Sequence, residues 1–518
     1  MIFMLQILGL AVAGWFYRHS LNPDAIAYLR LAHYYAAGPR ELAVSGHWGP
    51  LLSWLLAPML KAGLAPLLAA RVLVGLSAMW FLWAATFLFR AYSLPVPVAR
   101  LFAALVAVAT IPWSVENITP DLLVGGFICV GVAAWSDPNW LAAPRRALFA
   151  GAIWGAAYLA KAIAFPLALL GAVVFALLWT FSAGSSFRAA TRAAGLTLLA
   201  FSLVAAPWVT VLSLKYGHFT FSTTQAIWHA TVKPRMAGGA APAPFGARFE
   251  TPEPGRLTIW EDPAVSPDFG WSPPSGGANP ARQLRTMILN FGKTQFAITG
   301  VYAAWLPLAL AVAVILFRAR PRPAGWPGRF GWPLVPVLIL NCLCVFAKVA
   351  EPRYFYPALP LLLVASHHLG PIWAGARTRW FVGCVVLSVL APALGRWAVL
   401  TPPSKTAAHY AWVLSEKLHQ AKVNGPFAGN AMLPRGRTGL FLAFLMDEPW
   451  VGDEPNPTAQ SYRGSGATMI VVRRDAPVNA ELEAANDFQN LDPILFANQS
   501  AADAFPVRVY QLHRAGPP

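Results

Sequence analysis

Long apolar stretches, separated by short polar segments, run through the first 400 residues of the chain. A membrane-spanning helix needs roughly 20 mostly apolar residues, and about eleven stretches approach that length. These stretches lie near residues 1–17, 66–89, 98–114, 121–136, 147–161, 163–182, 193–214, 296–317, 330–347, 354–370 and 380–398. The pattern predicts a mainly α-helical, polytopic membrane protein with about 11 transmembrane helices. No basic segment precedes the first stretch, so we expect a retained span rather than a cleaved signal peptide.

Arginines mark every second connection between the predicted spans. Cytoplasmic loops of membrane proteins carry an excess of Lys and Arg, so these connections are assigned to the cytoplasm. They contain Arg90, Arg100, Arg145, Arg146, Arg188, Arg192, Arg318, Arg320, Arg322, Arg329, Arg377 and Arg379. The N-terminus is then cytoplasmic, and an odd number of spans places the C-terminus outside. The predicted location is a bacterial cytoplasmic (inner) membrane, with the C-terminal region periplasmic or extracytoplasmic.

Three larger segments are then predicted to face outward. Residues 18–65 and 215–295 form outward loops of a transmembrane domain, residues 1–400. Residues 401–518 have an ordinary composition and form a small soluble α/β domain. In that tail the pattern predicts helices near 404–420 and 437–446 and strands at Thr468–Val472 and Val507–Leu512.

The composition supports a polytopic membrane protein and excludes other classes of protein. Hydrophobic residues make up 57% of the chain and charged residues 12%, against about 25% charged residues in an ordinary soluble chain. This excludes a soluble enzyme, which would need more charge on its surface. The net charge of +17 fits cytoplasmic loops beside anionic membrane lipids, and we expect no nucleic-acid partner. The four cysteines lie in apolar runs without a Cys-x-x-Cys pair, so neither a disulfide framework nor a zinc site is indicated.

The first outward loop contains the first candidate catalytic group. Asn22 as N-cap, Pro23 at the first helical position and Gly38 as stop predict a short helix. Asp24 and Tyr28 lie four residues apart in it and therefore share a face. By itself, Asp24 also fits a carboxylate that only complements the positive end of the helix dipole.

A turn of sequence Gly-His-Trp-Gly-Pro, with His47 at its second position, precedes a second amphipathic run, Leu51–Leu60. With the Asp-Ala-Ile-Ala-Tyr segment from Asp24 to Tyr28, this order resembles the first outward loop of the GT-C glycosyltransferases. That superfamily includes protein O-mannosyltransferases and lipid A aminoarabinose transferases, which use polyprenyl-phosphate sugars. Its members place a catalytic Asp in an Asp-x-x-x-Tyr type segment, and they have a Gly…His-Pro-Pro turn. The turn here has one proline and so departs from the fuller form.

Further fragments match the order found in that superfamily. Asp121 lies in Thr-Pro-Asp-Leu-Leu at the start of the fourth span, and Glu116 lies in the same turn. Lys161 sits between two apolar runs, a costly position that indicates a functional site. It resembles the lysine of the family's Leu-Thr-Lys-Gly-Pro, although Ala162 and Ile163 replace Gly-Pro here. From the residues alone, helix capping by Asp121, a solvated Glu116 and a snorkelling Lys161 remain open.

A late segment, Glu-Pro-Arg-Tyr-Phe-Tyr-Pro-Ala-Leu-Pro at residues 351–360, resembles the Arg-Tyr-x-x-Pro-x-x-Pro segment of these enzymes. Arg353 presents a planar fork that suits phosphate oxygens, and Tyr354 follows it. An interfacial arginine within an aromatic belt is the alternative. In the loop 215–295, Trp260 is a candidate for stacking on a sugar face, and an ordinary surface aromatic is the alternative.

The resemblance implies a GT-C fold and an integral-membrane glycosyltransferase. Its donor would be a polyprenyl-phosphate sugar, and its acceptor a hydroxyl of a glycan, lipid or protein at the outer face. Asp24 would act as general base of an inverting transfer. Lys161 and Arg353 would stabilise the departing phosphate. The remaining implied substrate-binding residues are Tyr28, His47, Tyr354 and Trp260.

Asp121 and Glu116 are the further catalytic candidates. The resemblance implies that they orient the acceptor or hold a divalent ion such as Mg²⁺ or Mn²⁺. Two other functions stay open at this point. One is a lipid-linked glycan ligase or oligosaccharyltransferase, and the other is a transporter or flippase without enzymatic activity. The sequence names neither the sugar nor the acceptor.

Overall fold

The computed structural model describes residues 1–227, 249–266, 280–318, 331–347, 351–369, 376–430, 432–433, 436–454 and 456–513. This part of the chain is mainly helical, as the apolar pattern predicts, and a small sheet lies in the tail. Arg320, Arg322 and Arg329 of the predicted cytoplasmic loops lie outside the described residues.

Most helices of the first 400 residues follow the predicted apolar stretches. Several helices begin on a proline, among them those that start at Pro23, Pro50, Pro66 and Pro144. The fixed φ of proline suits the first turn, and its missing N–H has no helical partner there. The helices are α1 (Ile2–Phe16), α2 (Pro23–Ala36), α3 (Pro50–Lys61), α4 (Pro66–Ala91), α5 (Val96–Glu116), α6 (Asp121–Ser136), α7 (Asn139–Ala142), α8 (Pro144–Ala160), α9 (Ala164–Phe181), α10 (Phe187–Tyr216), α11 (Pro280–Thr299), α12 (Trp305–Arg318), α13 (Leu334–Ala347), α14 (Ala358–Leu369) and α15 (Ala376–Val399).

Helix length and composition support a multi-pass membrane protein. Among the described residues, α4, α5, α9, α10 and the Arg379–Val399 part of α15 are long and apolar enough to cross a membrane. Shorter apolar helices lie at α1, α6, α13 and α14. The predicted number of about 11 spans is not confirmed, because several apolar stretches form helices shorter than a full crossing needs.

The predicted boundary between the long outward loop and the eighth span is wrong. Residues 215–295 were expected to be loop and 296–317 a span, but α11 occupies Pro280–Thr299 and α12 begins only at Trp305. Lys293 and Gln295 interrupt the apolar pattern of α11, so a search for continuous apolar runs misses this helix.

The first outward loop folds as predicted into two short helices, α2 and α3. They pack together, and the Ser53 hydroxyl of α3 donates to the Tyr28 carbonyl of α2 at 2.9 Å. Asn22 occupies the N-cap position of α2, but its side chain makes no capping bond there. Its Oδ1 instead accepts a hydrogen bond from the Ile118 N–H at 2.9 Å. The start of α2 is therefore tied to the turn that precedes α6.

Within its described residues, the tail contains a five-stranded mixed sheet of order β4-β1-β5-β7-β6 and a two-stranded ribbon of β2 and β3. Strand β1 is parallel to β4 and β5, and β7 is antiparallel to β5 and β6. The predicted helices and strands match α16, α17, β5 and β7, whereas the other strands are too short to show a clear alternation. The elements are α16 (Ala407–Ala421), β1 (Phe427–Gly429), β2 (Met432–Leu433), β3 (Gly436–Arg437), α17 (Thr438–Met446), β4 (Trp450–Asp453), α18 (Ala459–Gly464), β5 (Met469–Arg473), α19 (Val478–Ala484), β6 (Phe488–Asn490), α20 (Asp492–Leu495), α21 (Gln499–Asp503) and β7 (Val507–Leu512).

The tail is held against both outward loops. The Trp450 N–H donates to the Leu257 carbonyl, and the Glu250 N–H donates to the Val451 carbonyl, each at 2.7 Å. Glu250 and Leu257 thus both contact β4, the edge strand of the sheet. On the other loop, Arg30 Nη1 of α2 contacts Asp447 Oδ1 at 2.5 Å. These contacts place the tail beside the helix that carries Asp24.

Candidate active site

Four charged residues meet where helices begin or end. Asp24 is the second residue of α2, and Asp121 is the first residue of α6. Lys161 directly follows α8, and Arg353 lies in a 3₁₀ turn, Pro352–Phe355, just before α14. Each charge thus lies at a helix end or in a turn rather than inside an apolar helix. The carboxylates also lie at helix N-termini, where the helix dipole favours negative charge.

Arg353 lies at the centre of this cluster. Its Nη1 donates to Asp24 Oδ2 at 2.7 Å. Its Nε lies 2.5 Å from Glu351 Oε2 and 3.9 Å from Asp121 Oδ2. The guanidinium therefore joins the carboxylate of the first loop to the carboxylate of α6. Glu351 is a member of the site that the sequence motif does not indicate, and its position two residues before Arg353 is the signal for it.

Asp121 is held mainly by Lys161. Lys161 Nζ donates to Asp121 Oδ1, and the Thr119 hydroxyl donates to Asp121 Oδ2 at 2.7 Å. The Asp121 side chain is 2% exposed, whereas that of Lys161 is 22% exposed. Lys161 is thus the more exposed member of the pair.

Two tyrosines line the cluster. Lys161 Nζ lies 4.0 Å from the centroid of the Tyr354 ring, within range of a cation–π interaction. Tyr28 is buried on α2, one turn after Asp24. Burial, together with the negative charges of Asp121 and Asp24, raises the pKa of the Tyr28 hydroxyl well above its ordinary value. Tyr28 therefore stays a neutral phenol that can donate a hydrogen bond.

The protonation states of Asp24 and His47 follow from their neighbours. Burial alone would raise the pKa of Asp24, but the charge and hydrogen bond of Arg353 outweigh burial and hold it below its ordinary value. Burial and the charge of Lys161 lower the pKa of His47 to about 4, against the opposing charge of Asp24. At neutral pH the cluster thus has an ionised Asp24 beside a neutral imidazole.

Trp260 lies under the His47 turn rather than on the surface. Its ring centroid is 5.0 Å from that of His47 and 5.3 Å from that of Trp48, and 4% of the residue is exposed. The Trp48 Nε1–H donates to the Trp260 carbonyl at 2.8 Å. In this arrangement Trp260 packs against His47 and Trp48, so its face is not presented to a sugar.

A second buried ionic cluster fixes the loop that carries Trp260. Asp262 accepts hydrogen bonds from Lys215 Nζ and, at 2.7 Å, from the Tyr216 hydroxyl, while the Tyr34 hydroxyl donates to Glu261 Oε2 at 2.6 Å. Both carboxylates are fully buried. Sequence reasoning missed this role, although two adjacent acids between Trp260 and a proline were its visible signal.

Glu116 does not join Lys161 or Arg353 within the described residues. It forms an ion pair with Arg396 at the end of α15. The Arg396 guanidinium carbon lies 5.9 Å from the centroid of the Tyr356 ring. The structure therefore separates the two acids of the 116–121 turn, giving Asp121 to Lys161 and Glu116 to Arg396.

This separation bears on the proposed metal ligands. Among the described residues, no group of three His, Cys, Asp or Glu side chains is placed to hold a metal ion. Asp121 and Glu116 each have a cation as partner, and a cation is a competitor for a metal ion at the same oxygens. In this arrangement the two carboxylates are paired with different cations, and no step below is assigned to a metal.

Solved structures share this architecture, although comparisons of the sequence alone find no match. No protein-family model and no curated protein matches the sequence. ArnT from Cupriavidus metallidurans bound to undecaprenyl phosphate matches with a TM-score of 0.58 and 16% identity over 98% of this chain and 97% of that chain. The Archaeoglobus fulgidus oligosaccharyltransferase in complex with Zn and sulfate matches with a TM-score of 0.51 and 10% identity over 91% and 68%.

A third structure extends the comparison. A variant of arabinofuranosyltransferase AftD from Mycobacteria matches with a TM-score of 0.50 and 14% identity, over 99% of this chain but only 42% of AftD. All three are GT-C glycosyltransferases. The chain therefore has the GT-C fold, and the predicted resemblance is confirmed at the level of the fold.

Proposed function

We propose that this chain is an integral-membrane glycosyltransferase of the GT-C type. It moves a sugar from a polyprenyl-phosphate donor to an acceptor hydroxyl at the outer face of the membrane, with Asp24 as general base and inversion at the anomeric carbon. The observation that carries the proposal is the Asp24–Arg353–Asp121–Lys161 cluster. It combines a base with two cations in one partly buried site. The undecaprenyl phosphate bound to ArnT, which shares the fold, supports the choice of donor.

The cluster supplies the two electrostatic functions that such a transfer needs. Negative charge develops on the departing phosphate, and Lys161 and Arg353 can neutralise it in a water-poor setting where fixed charges act strongly. The acceptor hydroxyl loses a proton as it attacks, and a carboxylate within hydrogen-bond reach can take that proton. Asp24 has this role, because it is ionised and Asp121 is occupied by Lys161.

The Arg353–Asp24 contact also suggests how donor binding prepares the base. In the structure Arg353 holds the Asp24 pKa low, which makes Asp24 a weak base. A donor phosphate competes with the Asp24 carboxylate for the same guanidinium. Once Arg353 turns to the phosphate, the Asp24 pKa rises and the carboxylate becomes a stronger base. Catalytic power then appears only when the donor is bound.

The proposal includes the orientation and the domain roles expected from the sequence. The N-terminus is cytoplasmic, the cluster and the tail face outward, and the membrane is the bacterial inner membrane. The catalytic domain is residues 1–400, and residues 401–518 form the outward α/β domain. The contacts of the tail with α2 and with residues 249–257 support a role in holding the outward loops in place.

A transporter remains the contrasting function, and one substitution separates it from a transferase. Transfer of labelled sugar from a small panel of polyprenyl-phosphate sugars is measured in membranes containing wild type or Asp24→Asn at equal expression. Removal of a general base is expected to lower the transfer rate by about 10²–10⁴-fold. Asp475→Asn is the matched control, because Asp475 is an exposed tail carboxylate that is also paired with an arginine, Arg473.

The outcomes of this comparison separate a transferase from a transporter. Transfer that collapses only in Asp24→Asn supports the proposal, and the productive donor names the sugar class. Robust transfer by Asp24→Asn removes Asp24 as the base and moves attention to Asp121. Flipping of a lipid-linked sugar by both proteins, without transfer to any acceptor, supports the transporter instead.

A further inference from the structure

A cluster of buried hydrogen-bond donors lies outside the proposed transfer site. It consists of Trp113 at the end of α5, Tyr356 before α14, and Arg396 near the end of α15. The rings of Trp113 and Tyr356 stack at 3.9 Å between centroids and are nearly parallel, at 6°. The Arg396 guanidinium carbon lies 5.9 Å from the Tyr356 ring centroid. We call these three residues the donor cluster.

Each member has a buried donor atom without a hydrogen-bond partner among the described residues. These atoms are the Trp113 Nε1, the Tyr356 hydroxyl oxygen and the Arg396 Nε. Trp113 is 3% exposed and Tyr356 is 2% exposed. A single unpaired buried donor is costly, and native proteins keep few of them. Three such donors on neighbouring residues would be satisfied by a ligand with several acceptor oxygens.

The charge of the cluster selects an anion. Arg396 supplies a permanent positive charge, and its planar guanidinium suits the oxygens of a phosphate or carboxylate. Glu116 already occupies Arg396 Nη1, but it leaves Nε without a partner. The Glu116 side chain is 34% exposed and that of Arg396 is 14% exposed, so a ligand can reach the cluster from the Glu116 side. An arriving anion would compete with Glu116 for the guanidinium.

The cluster is electrostatically connected to the transfer site. The charges of Arg396, Glu116, Asp121 and Arg353 all act on the Tyr356 hydroxyl. Tyr356 also lies two residues after Tyr354, whose ring contacts Lys161. A group bound at the donor cluster would therefore lie beside the site where Lys161 and Arg353 act, without using either cation.

From these observations we propose that Trp113, Tyr356 and Arg396 form a second anion subsite, which takes a phosphate group of a substrate or of a lipid headgroup. Glu116 acts as the internal anion that holds Arg396 while the subsite is empty. The binding itself does not depend on the proposed transfer reaction. Its use in placing a phosphate-bearing substrate beside Asp24 does rest on that proposal.

Direct binding tests the subsite. The purified full-length protein, in a detergent without phosphate, is titrated with radiolabelled inorganic phosphate, and the number of bound phosphates is counted. Wild type is expected to bind two, and Arg396→Gln and Arg353→Gln are each expected to remove one. Tyr356→Phe, which deletes one hydroxyl, is expected to weaken the Arg396-dependent phosphate by about tenfold, in line with the usual value of a hydrogen bond to a charged group.

Glu116→Gln tests whether Glu116 competes with the phosphate for Arg396 or helps to bind it. Removing the competing carboxylate is expected to strengthen the Arg396-dependent phosphate, whereas a ligand-binding carboxylate would weaken it when removed. Arg463→Gln is the matched control, because Arg463 also pairs with a carboxylate, Asp487, but lies in the tail. It is expected to leave both phosphates in place. Binding of two phosphates by Arg396→Gln, or weaker binding of the second phosphate in Glu116→Gln, overturns the proposal.

A second titration identifies the source of the phosphate. Dioctanoyl phosphatidate replaces inorganic phosphate under the same conditions. Loss of phosphatidate binding in Arg396→Gln, with no Arg396-dependent inorganic phosphate, assigns the subsite to lipid headgroups. Binding of both probes assigns it to phosphate groups in general. Failure of both probes to bind in an Arg396-dependent way removes the subsite, whatever happens to sugar transfer.

Discussion

Arg353 Nη1 donates to Asp24 Oδ2 at 2.7 Å, although 329 residues separate the two in the chain. The contact joins the first outward loop to the turn before α14. It also fixes the charge state of the proposed base, because Arg353 holds the Asp24 pKa below its ordinary value against the effect of burial. One ion pair thus links the position of the base to its proton affinity.

Arg353→Gln is therefore expected to move the acid limb of the pH profile. Activity that requires ionised Asp24 falls as the pH drops through the Asp24 pKa. In wild type this limb lies at low pH, since the pKa of Asp24 is lowered. In Arg353→Gln the limb shifts upward, because burial is then opposed only by the weaker effects of His47 and Lys161. The measurement is kcat/KM for transfer between pH 4 and 8. Arg353→Lys retains the positive charge and serves as control, with a lower rate but a limb still near that of wild type.

The Lys161–Asp121 pair predicts strongly coupled substitutions. Asp121 is buried, so Lys161→Gln or Asp121→Asn alone leaves a charge without its partner, which typically costs about 3–5 kcal/mol. The double variant loses both charges, and its free energy of unfolding should fall by less than the sum of the single effects. Thermal unfolding of the four proteins measures the coupling. Transfer should stay low in the double variant even where stability returns, since the phosphate loses Lys161; recovered transfer would assign the pair a structural role.

Local signals in the sequence were sufficient for the elements near the site. Asn22, Pro23 and Gly38 predicted α2, and the alternation at Val507–Leu512 predicted β7 with its observed ends. Asp24, Asp121 and Arg353 were identified through the resemblance to GT-C glycosyltransferases, and Lys161 also because a lysine between two apolar runs is costly. The structure brings these four together, and no local pattern could show that.

Features that depend on contacts between distant segments were not predictable. Tyr34 and Glu261 are hydrogen-bonded across 227 residues, so the adjacent acids Glu261 and Asp262 are visible in the sequence but their partners are not. Trp260 was a candidate for stacking on a sugar, and its packing on His47 and Trp48 likewise joins distant segments of the chain. Glu116 was grouped with Asp121 by proximity in sequence, but the helix start between them sends the two carboxylates to different cations.

Asp262 is predicted to hold the second loop closed over the His47 turn. Its buried carboxylate meets Lys215, Tyr216 and Arg256, and Asp262→Asn leaves the charges of Lys215 and Arg256 without full compensation. The expected loss is about 3–5 kcal/mol of stability. Hydrogen exchange of residues 249–266 reports local opening of the loop, and thermal unfolding reports the loss of stability. Glu253→Gln removes a 46% exposed partner of Arg256 and should cost less than about 1 kcal/mol. Equal effects of the two substitutions would contradict the assigned role.

Metal removal is expected to leave transfer unchanged. Lys161 and Thr119 occupy the two oxygens of Asp121, and Arg396 occupies Glu116, so a divalent ion has to displace ammonium or guanidinium groups to bind. Initial transfer rates are compared before and after treatment with EDTA, and again after addition of Mg²⁺ or Mn²⁺. Loss of transfer on chelation and recovery with either ion would restore Asp121 and Glu116 as candidate ligands.

His47 is predicted to make the folded protein acid-labile in a defined pH window. Burial lowers its pKa to about 4 in the folded state, against about 6.5 for an exposed histidine in the unfolded chain. As the pH falls below about 6.5, the unfolded chain takes up a proton that the folded protein does not bind until about pH 4, so stability decreases across that window by up to about 3 kcal/mol. Above about pH 6.5, His47 is neutral in both the folded and the unfolded state and does not make the stability depend on pH.

His47→Gln should therefore flatten the pH dependence of unfolding. Its thermal midpoint is expected to fall less than that of wild type between pH 6.5 and 4.5, even if both proteins differ at pH 7.5 through altered packing on Trp48 and Trp260. The decrease with pH, rather than the midpoint itself, is the quantity compared. A matched substitution at exposed His513 in the tail, His513→Gln, should keep the wild-type slope. An unchanged slope in His47→Gln would show that another group accounts for the acid lability.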